Sequence, residues 1–182
     1  MGIKWQCVEY ARRWTFLRKS SIFASIDGAN DMWSQLKFVQ RVTDKRKFPL
    51  KKHPNGSPKL PSKDSYLIYP VQKDMPFGHV PVIVEVLPKA IRVAEQNFHF
   101  HFWNSSYARE IPIVKRNDLF YINDTYEVFG WLEIDDRNQL QPLTSVVAEK
   151  LQRSQSTSDA SRFQISYIYS IMILFICLKQ LF

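Results

Sequence analysis

Cys7 lies near the start of a stretch whose residue pattern predicts a helix, and a cysteine in that place has the chemistry of a nucleophile. A thiol attacks carbonyl groups as the thiolate, and an ordinary cysteine with a pKa of about 8.5 is mostly protonated at neutral pH. The unpaired N–H groups and the dipole of a helix N-terminus lower that pKa, and a neighbouring imidazolium lowers it further. The alternative is that Cys7 is a small buried apolar side chain, the usual place of a lone cysteine.

His79 is the histidine best suited to act as a base, because it follows a glycine and begins a predicted strand. The return strand of the predicted hairpin brings Glu95, Gln96 and Asn97 near the same end. A carboxylate beside an imidazole fixes its tautomer and stabilises the imidazolium, so Cys7, His79 and Glu95 are the residue types of a cysteine hydrolase triad. Each hairpin residue also has an ordinary interpretation, His79 as a core histidine and Glu95 as a solvated strand end.

The triad depends on the register of this hairpin. His79 and Glu95 stand on one face only if the reversal around Leu87 and Pro88 has an odd number of loop residues, or if a bulge intervenes. A two-residue turn at Pro88 and Lys89 would by itself put the two side chains on opposite faces.

The elements that must position these residues follow an order of early helices and late strands. Apolar spacing predicts a helix over residues 5–16 and a second over residues 30–42. Short apolar runs predict strands over residues 66–69, 79–86, 91–95, 111–114, 119–122 and 126–134. This order predicts an α+β fold in which N-terminal helices pack on an antiparallel β-sheet.

Composition indicates a globular chain without a nucleic-acid partner. The 182 residues are 45% hydrophobic and rich in aromatic side chains, as a packed core requires. The formal charge of +8 is concentrated in residues 45–63, whose prolines predict an exposed loop. Nucleic-acid-binding folds add a recognisable helix pair, an aromatic platform or zinc ligands, and the sequence shows none of these. The histidines and Cys7 lack the spacing of metal ligands, so no metal or cofactor is predicted.

Three segments are predicted along the chain: a domain over residues 1–138, a polar linker over 139–164 and an apolar tail over 165–182. The apolar run at 165–178 is shorter than the roughly 20 residues of a spanning helix, so a membrane anchor, a docked helix or strand, and a gene-model artefact all stay open. Cys7 and Cys177 are not placed to build a disulfide framework, and no signal peptide is visible. A cytoplasmic location is predicted, with membrane association through residues 165–178 as the open alternative.

Five blocks of sequence carry a resemblance to a known family. In order along the chain they read KWQCVEYARRW, HPNGSPKLP, GHVPVIVEV, IRVAEQN and GWL. Their order and spacing resemble the amidase domains of glutathionylspermidine synthetase/amidases, within the CHAP group of papain-like cysteine amidohydrolases. The resemblance implies a papain-like CHAP fold in which Cys7 is the nucleophile, His79 the general base and Glu95 the orienting carboxylate.

The resemblance also implies a substrate and residues that bind it. The partner would be a small glutathione–polyamine conjugate, cleaved at the amide between the glycine carboxyl of glutathione and spermidine through a thioester on Cys7. Arg12 matches a family arginine close to the nucleophile, and it is expected to pair with a substrate carboxylate or, as the alternative, to face solvent. Asn97 is assigned to the substrate-binding residues, as one that supports the site by holding the residues around the substrate.

Three departures from the family pattern leave other functions open. Only six residues precede Cys7, which suggests a domain truncated at its N-terminus. Pro81 replaces a small residue and removes a backbone donor, so His79 is expected to be displaced. The synthetase half is absent from the sequence, so no synthesis of the conjugate is expected. A CHAP-type peptidoglycan amidase or endopeptidase and a noncatalytic remnant are the alternative functions.

Overall fold

The computed structural model of the chain describes residues 6–98 and 103–158. The predicted tail at 165–178 and Cys177 lie outside the described residues. Helices and strands within them follow this order: α1 Cys7–Lys19, β1 Ser21–Ile22, α2 Ala29–Gln35, β2 Phe38–Arg41, β3 Lys47–Pro54, β4 Tyr66–Ile68, β5 Val82–Val86, β6 Ala90–Ala94, β7 Arg109–Arg116, β8 Leu119–Ile122, β9 Gly130–Ile134 and α3 Ser145–Ser158.

The strands form one sheet in the order β1-β2-β3-β9-β4-β5-β6-β7-β8, and neighbouring strands run antiparallel. Consecutive strands are neighbours up to β8 except that β9 lies between β3 and β4. The chain therefore crosses from β8 at one edge of the sheet to β9 in its interior. The predicted α+β class with an antiparallel sheet is confirmed.

Apolar side chains cover both faces of the sheet at its centre. In β4, Tyr66 and Ile68 join a core cluster with Ala11 of α1 and Met32 of α2. The intervening Leu67 points to the other face and joins a second cluster with residues of β5, β6 and β7. Since β4 is buried on both sides, it is a rigid support for the residues that follow it.

The second predicted helix is only partly correct. Helix α2 ends at Gln35, and residues 38–41 form β2 instead of continuing the helix to Val42. Leu36 already has an extended backbone, with ψ of 127°. Val39 is fully buried in the strand. An apolar residue at this spacing suits the buried side of a helix or of a strand, so the pattern did not distinguish the two. Pairing with β1 and β3 decided the outcome in favour of the strand.

The prediction of an exposed loop over residues 45–63 is wrong for Lys47–Pro54, which is strand β3. Phe48 and Leu50 are buried while Lys47, Pro49 and Lys51 are exposed, which is the alternation of a sheet with one face on the core. The lysines at alternate positions therefore mark the solvent-exposed face of this strand.

The chain divides into two compact units, residues 1–142 and residues 143–182. The described part of the second unit is α3, which lies inside the segment predicted as a polar linker and makes Ser145–Ser158 helical. The division of the chain into three segments stays a prediction. Across residues 6–98 and 103–158, no helix has the length and apolar character needed to cross a membrane.

Candidate active site

Cys7 is the first residue of α1. Gln6 before it has an extended backbone, with ψ of 155°, and makes no side-chain cap to the helix. The first backbone bond of the helix runs from the Tyr10 N–H to the Gln6 carbonyl at 2.9 Å, so the N–H groups of Cys7, Val8 and Glu9 have no partner within the helix. These N–H groups lie where an anionic sulfur or oxygen can accept them.

His79 is buried, with 2% of its surface exposed, in the loop that leads into β5. Its backbone pairs with that of Tyr69, whose N–H donates to the His79 carbonyl at 3.0 Å. Gly78 makes the approach possible because its φ is +68° and a Cβ there would lie 2.5 Å from the Tyr69 carbonyl oxygen. A glycine before His79 is therefore required by the close contact with Tyr69.

The hairpin places His79 and Glu95 together through a bulge. Leu87 donates its N–H to the Ala90 carbonyl at 2.8 Å, which makes a two-residue turn of Pro88 and Lys89. That turn alone would separate the two side chains, but the register shifts between Ile83 and Glu85 of β5. His79 Nε2 lies 2.8 Å from Glu95 Oε2 as a result.

Pro81 does not displace His79, and the expectation that it would is wrong. Its missing N–H removes one backbone bond to β4, but the pair that Tyr69 forms with the His79 backbone is made all the same. Its carbonyl still accepts the Leu67 N–H at 3.0 Å, which keeps the segment next to β4.

The charges of Cys7, His79 and Glu95 depend on one another. Burial opposes ionisation of Cys7, but its pKa is lowered because a hydrogen bond from His79, the charge of His79 and the N–H groups of Val80 and Val8 favour the thiolate. Burial disfavours the imidazolium, yet the pKa of His79 is raised by hydrogen bonds and charges from Cys7 and Glu95. Since Glu95 occupies Nε2, Nδ1 is the ring nitrogen left for Cys7.

Glu95 has a second partner that sequence reasoning missed. Arg109, the first residue of β7, donates from Nε to Glu95 Oε1 at 2.6 Å. The pKa of Glu95 is lowered despite its burial, because His79 hydrogen-bonds to it and both His79 and Arg109 bring positive charge. The signal for Arg109 is the pairing of β6 with β7, in which it lies opposite Val93, two residues before Glu95.

The two predicted substrate-binding residues lie in different places. Asn97, with φ of +57°, donates from Nδ2 to Gln6 Oε1 at 2.8 Å, which ties the hairpin to the residue before Cys7. Arg12 is half-buried on α1. It follows Cys7 by five residues, about 140° around the helix, whereas Ala11 shares the face of Cys7. The substrate roles of Arg12 and Asn97 stay predictions.

A second contact between α1 and the hairpin was also missed. Arg13 donates from Nη2 to Gln96 Oε1 at 2.9 Å and from Nε to Glu9 Oε1 at 3.0 Å. This contact and the one from Asn97 fix the helix that carries Cys7 to the strand end that carries Glu95. Over residues 6–98 and 103–158, no cluster of three or more His, Cys, Asp or Glu is arranged to hold a metal ion.

Comparison with known proteins identifies the family. Residues 1–97 match the model of the CHAP domain. The chain belongs to the CHAP-domain family. It is 33% identical over 163 residues to the bifunctional glutathionylspermidine synthetase/amidase of Escherichia coli (strain K12), a match that covers 85% of this chain and 26% of that protein.

Two proteins from a second organism are also similar to this chain. The trypanothione synthetase of Crithidia fasciculata is 31% identical over 137 residues, covering 72% of this chain and 21% of that protein. The glutathionylspermidine synthase of the same organism is 31% identical over 138 residues, covering 74% and 19%. The chain thus spans about a quarter or less of the length of these relatives. Its CHAP domain and its similarity to the amidase part of the Escherichia coli protein make it an amidase-type hydrolase with the α+β CHAP fold.

Proposed function

We propose that this chain is a cysteine amidohydrolase that cleaves glutathionylspermidine into glutathione and spermidine. The observation that carries the proposal is the position of His79, which interacts with the Cys7 thiol on one side and lies 2.8 Å from Glu95 on the other. An imidazole shared between a thiol and a buried carboxylate is the arrangement that activates a cysteine and then returns its proton.

In the proposed acylation step, the Cys7 thiolate attacks the carbonyl carbon of the amide between glycine and spermidine. The oxygen of the tetrahedral intermediate accepts the backbone N–H of Cys7, which has no partner within α1. The imidazolium of His79 gives its proton to the spermidine nitrogen as the C–N bond breaks. Spermidine leaves, and the glutathionyl group remains as a thioester on Cys7.

In the proposed deacylation step, neutral His79 takes a proton from a water molecule that attacks the thioester carbonyl. The C–S bond breaks, glutathione leaves with its glycine carboxylate, and Cys7 and His79 return to the thiolate–imidazolium pair. Glu95 stays ionised throughout because His79 and Arg109 both stabilise its charge. Its role is to hold the imidazole in place and to stabilise its charged form.

The proposed substrate rests on the relatives. The Escherichia coli protein and one of the Crithidia fasciculata proteins carry glutathionylspermidine in their names, and both match this chain along most of its length. The segment that matches the CHAP domain, residues 1–97, holds Cys7, His79 and Glu95. The same chemistry on the same fold supports the same conjugate as substrate.

The test is release of spermidine from glutathionylspermidine by the purified chain, measured by mass spectrometry. We expect release by the wild type and by Cys177→Ala, the variant of the other cysteine, and none by Cys7→Ala. Equal release by the wild type and Cys7→Ala would end the proposal. If the conjugate stays intact while a peptidoglycan suspension clears, the function is that of a cell-wall amidase. Failure of both, with Cys7 as reactive as a free peptide thiol, would indicate a noncatalytic remnant.

A further inference from the structure

The carboxylate of Glu95 is held by two groups, one on each oxygen. Oε2 lies 2.8 Å from His79 Nε2, and Oε1 accepts Arg109 Nε at 2.6 Å. In a third contact, Nη2 of Arg109 lies 3.4 Å from Glu95 Oε2. Because the side chain of Glu95 is only 4% exposed, water cannot take over either of these contacts.

Arg109 in turn is fixed by residues outside the triad. Its Nη1 lies 2.9 Å from Asp124 Oδ2, and its Nη2 donates to the Tyr69 hydroxyl at 3.2 Å. Its guanidinium also lies over the ring of Phe98, at 4.2 Å from the ring centre. The Phe98 ring stacks on the imidazole of His79 at 4.9 Å, so Arg109 and His79 contact the same aromatic side chain.

These contacts close a ring that begins and ends at His79. The backbone of His79 pairs with Tyr69, the Tyr69 hydroxyl contacts Arg109, Arg109 binds Glu95, and Glu95 binds the His79 side chain. A rotation of Glu95 away from His79 would have to break the Arg109 contacts as well. The guanidinium therefore determines which way the carboxylate faces.

We propose that Arg109 is a positioning residue of the Cys7–His79–Glu95 triad, and that it fixes the orientation and the charge of Glu95 without contacting the substrate. The proposal rests on the proposed function, since it assumes that this triad performs the chemistry. A planar guanidinium with several fixed donors suits this task better than the single ammonium of a lysine.

The expected effect of removing Arg109 has a definite sign. The titratable and charged groups that face Glu95 are His79 from the loop before β5, Arg109 from β7 and Tyr10 from α1. Asp124 lies behind Arg109, and Arg13 lies beside Tyr10. Without the Arg109 contacts the pKa of Glu95 rises and its carboxylate can turn away from His79. The imidazolium of His79 then loses the partner that stabilises it, so the pKa of Cys7 rises as well.

The experiment compares Arg109→Gln and Arg109→Lys with the same two changes at Arg92. Arg92 lies on the neighbouring strand β6 and makes exposed ion pairs with Glu85 at 2.9 Å and Glu110 at 2.8 Å. The first measurement is the pH at which iodoacetamide alkylates Cys7 at half its maximal rate, in a Cys177→Ala background. This measurement needs no substrate. The second is kcat and KM for glutathionylspermidine across the same pH range.

For Arg109→Gln we expect the alkylation midpoint to move at least about one pH unit upward, and kcat/KM at neutral pH to fall about ten- to hundredfold, mainly in kcat. Arg109→Lys keeps the positive charge but loses the planar set of N–H donors. Its alkylation midpoint for Cys7 should therefore stay near that of the wild type while kcat falls. Both Arg92 variants should match the wild type.

A folded Arg109→Gln variant with the midpoint and kcat of the wild type would overturn the proposal. Should that variant fail to fold, judged by circular dichroism, Arg109→Lys decides: a kcat equal to that of the wild type overturns the proposal, and a reduced kcat at an unchanged midpoint supports it. If the midpoints shift as expected while no protein cleaves the conjugate, the role of Arg109 stands and the proposed substrate is wrong.

Discussion

The ionisation of Cys7 depends more on His79 than on the helix that Cys7 begins. The hydrogen bond and the charge of His79 lower the pKa of the thiol more than the backbone N–H groups of Val80 and Val8 do. The position at the start of α1 therefore supports the thiolate, and the imidazole is what sets its pKa. The pKa of His79 is raised in return, so both shifts favour the thiolate–imidazolium pair over the neutral pair.

Replacing His79 by alanine should return Cys7 to a poorly ionised thiol. Burial of Cys7 remains while its partner is lost, so the alkylation midpoint should rise to about pH 8.5 or above. The measurement is the rate of iodoacetamide alkylation between pH 5 and pH 10 in a Cys177→Ala background. His53→Ala is the matched control, because His53 pairs with Glu133 at 3.1 Å and stacks on Trp131, away from Cys7. An unchanged midpoint in His79→Ala would contradict the pairing.

At this scale the sequence could predict Cys7, His79 and Glu95 but not the residues behind them. The first three are marked by residue type, by their place at element ends and by the family resemblance. Arg109 and Asp124 are ordinary charged residues of a strand start and a loop. They become part of the site only through the register of β6 with β7, which pairs Val93 with Arg109 and cannot be read from local patterns.

Among the elements, the loop from β4 to β5 determines where the imidazole lies. Tyr69 follows β4 directly and pairs with His79, so the loop closes on itself at the point where the base is held. The two-residue turn of the next hairpin and the bulge in β5 then bring Glu95 to the same side. Sequence patterns predicted the hairpin and the parity condition on it. The bulge that satisfies this condition has no mark of its own in the sequence, because it is one extra residue in a continuous apolar run.

Gly78→Ala should damage the site more than the fold. An alanine at φ of +68° is strained by about 1–3 kcal/mol, and its Cβ would lie 2.5 Å from the Tyr69 carbonyl oxygen, in the contact that holds His79. We expect a loss of that size in the free energy of urea unfolding. We also expect kcat/KM of the folded fraction to fall at least about tenfold, because His79 moves away from Cys7 and Glu95.

Gly56→Ala is the matched comparison for Gly78→Ala. Gly56 also has a positive φ, of +98°, but a Cβ there would meet the ring of Tyr121, and its own N–H binds the Phe120 carbonyl near β8. This variant should lose a similar free energy of unfolding and keep its kcat/KM. Equal kcat/KM values for both glycine variants would mean that the loop before β5 does not control the position of His79.

For the molecule as a whole, the site is contained in the first compact unit. Every contact described for the triad and its supports lies within residues 6–124, and the sheet is complete at Ile134. Leu140 is still buried in the core, and the Ser20 hydroxyl donates to the Gln141 carbonyl at 2.9 Å. The packing of the first unit thus extends to residues 140 and 141, and the predicted boundary at residue 138 stays a prediction.

A chain that ends at Pro142 should fold and keep the activity of the full chain. We expect its urea midpoint, its alkylation midpoint for Cys7 and its kcat/KM to match those of the full chain, because no support of the site is removed. A chain that ends at residue 138 is the comparison, and it should be less stable because it lacks Leu140 and the Gln141 carbonyl. Loss of the alkylation midpoint in the longer fragment would contradict a self-contained site.

The stability of the whole fold should fall in acid through its buried carboxylates. Glu95 and Asp124 both have lowered pKa values in spite of burial, Glu95 because of His79 and Arg109, and Asp124 because of Tyr69 and Arg109. A group whose pKa is lower in the folded chain contributes stability above its unfolded pKa and loses it as the pH falls through the folded value. For Glu95 the contribution is complete above its ordinary pKa of 4.5 and declines below it.

The measurement is the free energy of urea unfolding between pH 7 and pH 3, for the wild type, Glu95→Gln and Asp44→Asn. Glu95→Gln is less stable at neutral pH because Arg109 loses its buried partner. The test is therefore how steeply the free energy of unfolding changes with pH, and not its value at any one pH. The wild type should lose about 1–2 kcal/mol more than Glu95→Gln on going from pH 5 to pH 3, since one carboxyl group can contribute no more over this interval. Asp44 pairs with Arg41 at an exposed site, where solvent screens the charges, so Asp44→Asn should keep the slope of the wild type. Parallel curves for the wild type and Glu95→Gln would show that the folded chain does not hold Glu95 in its ionised form.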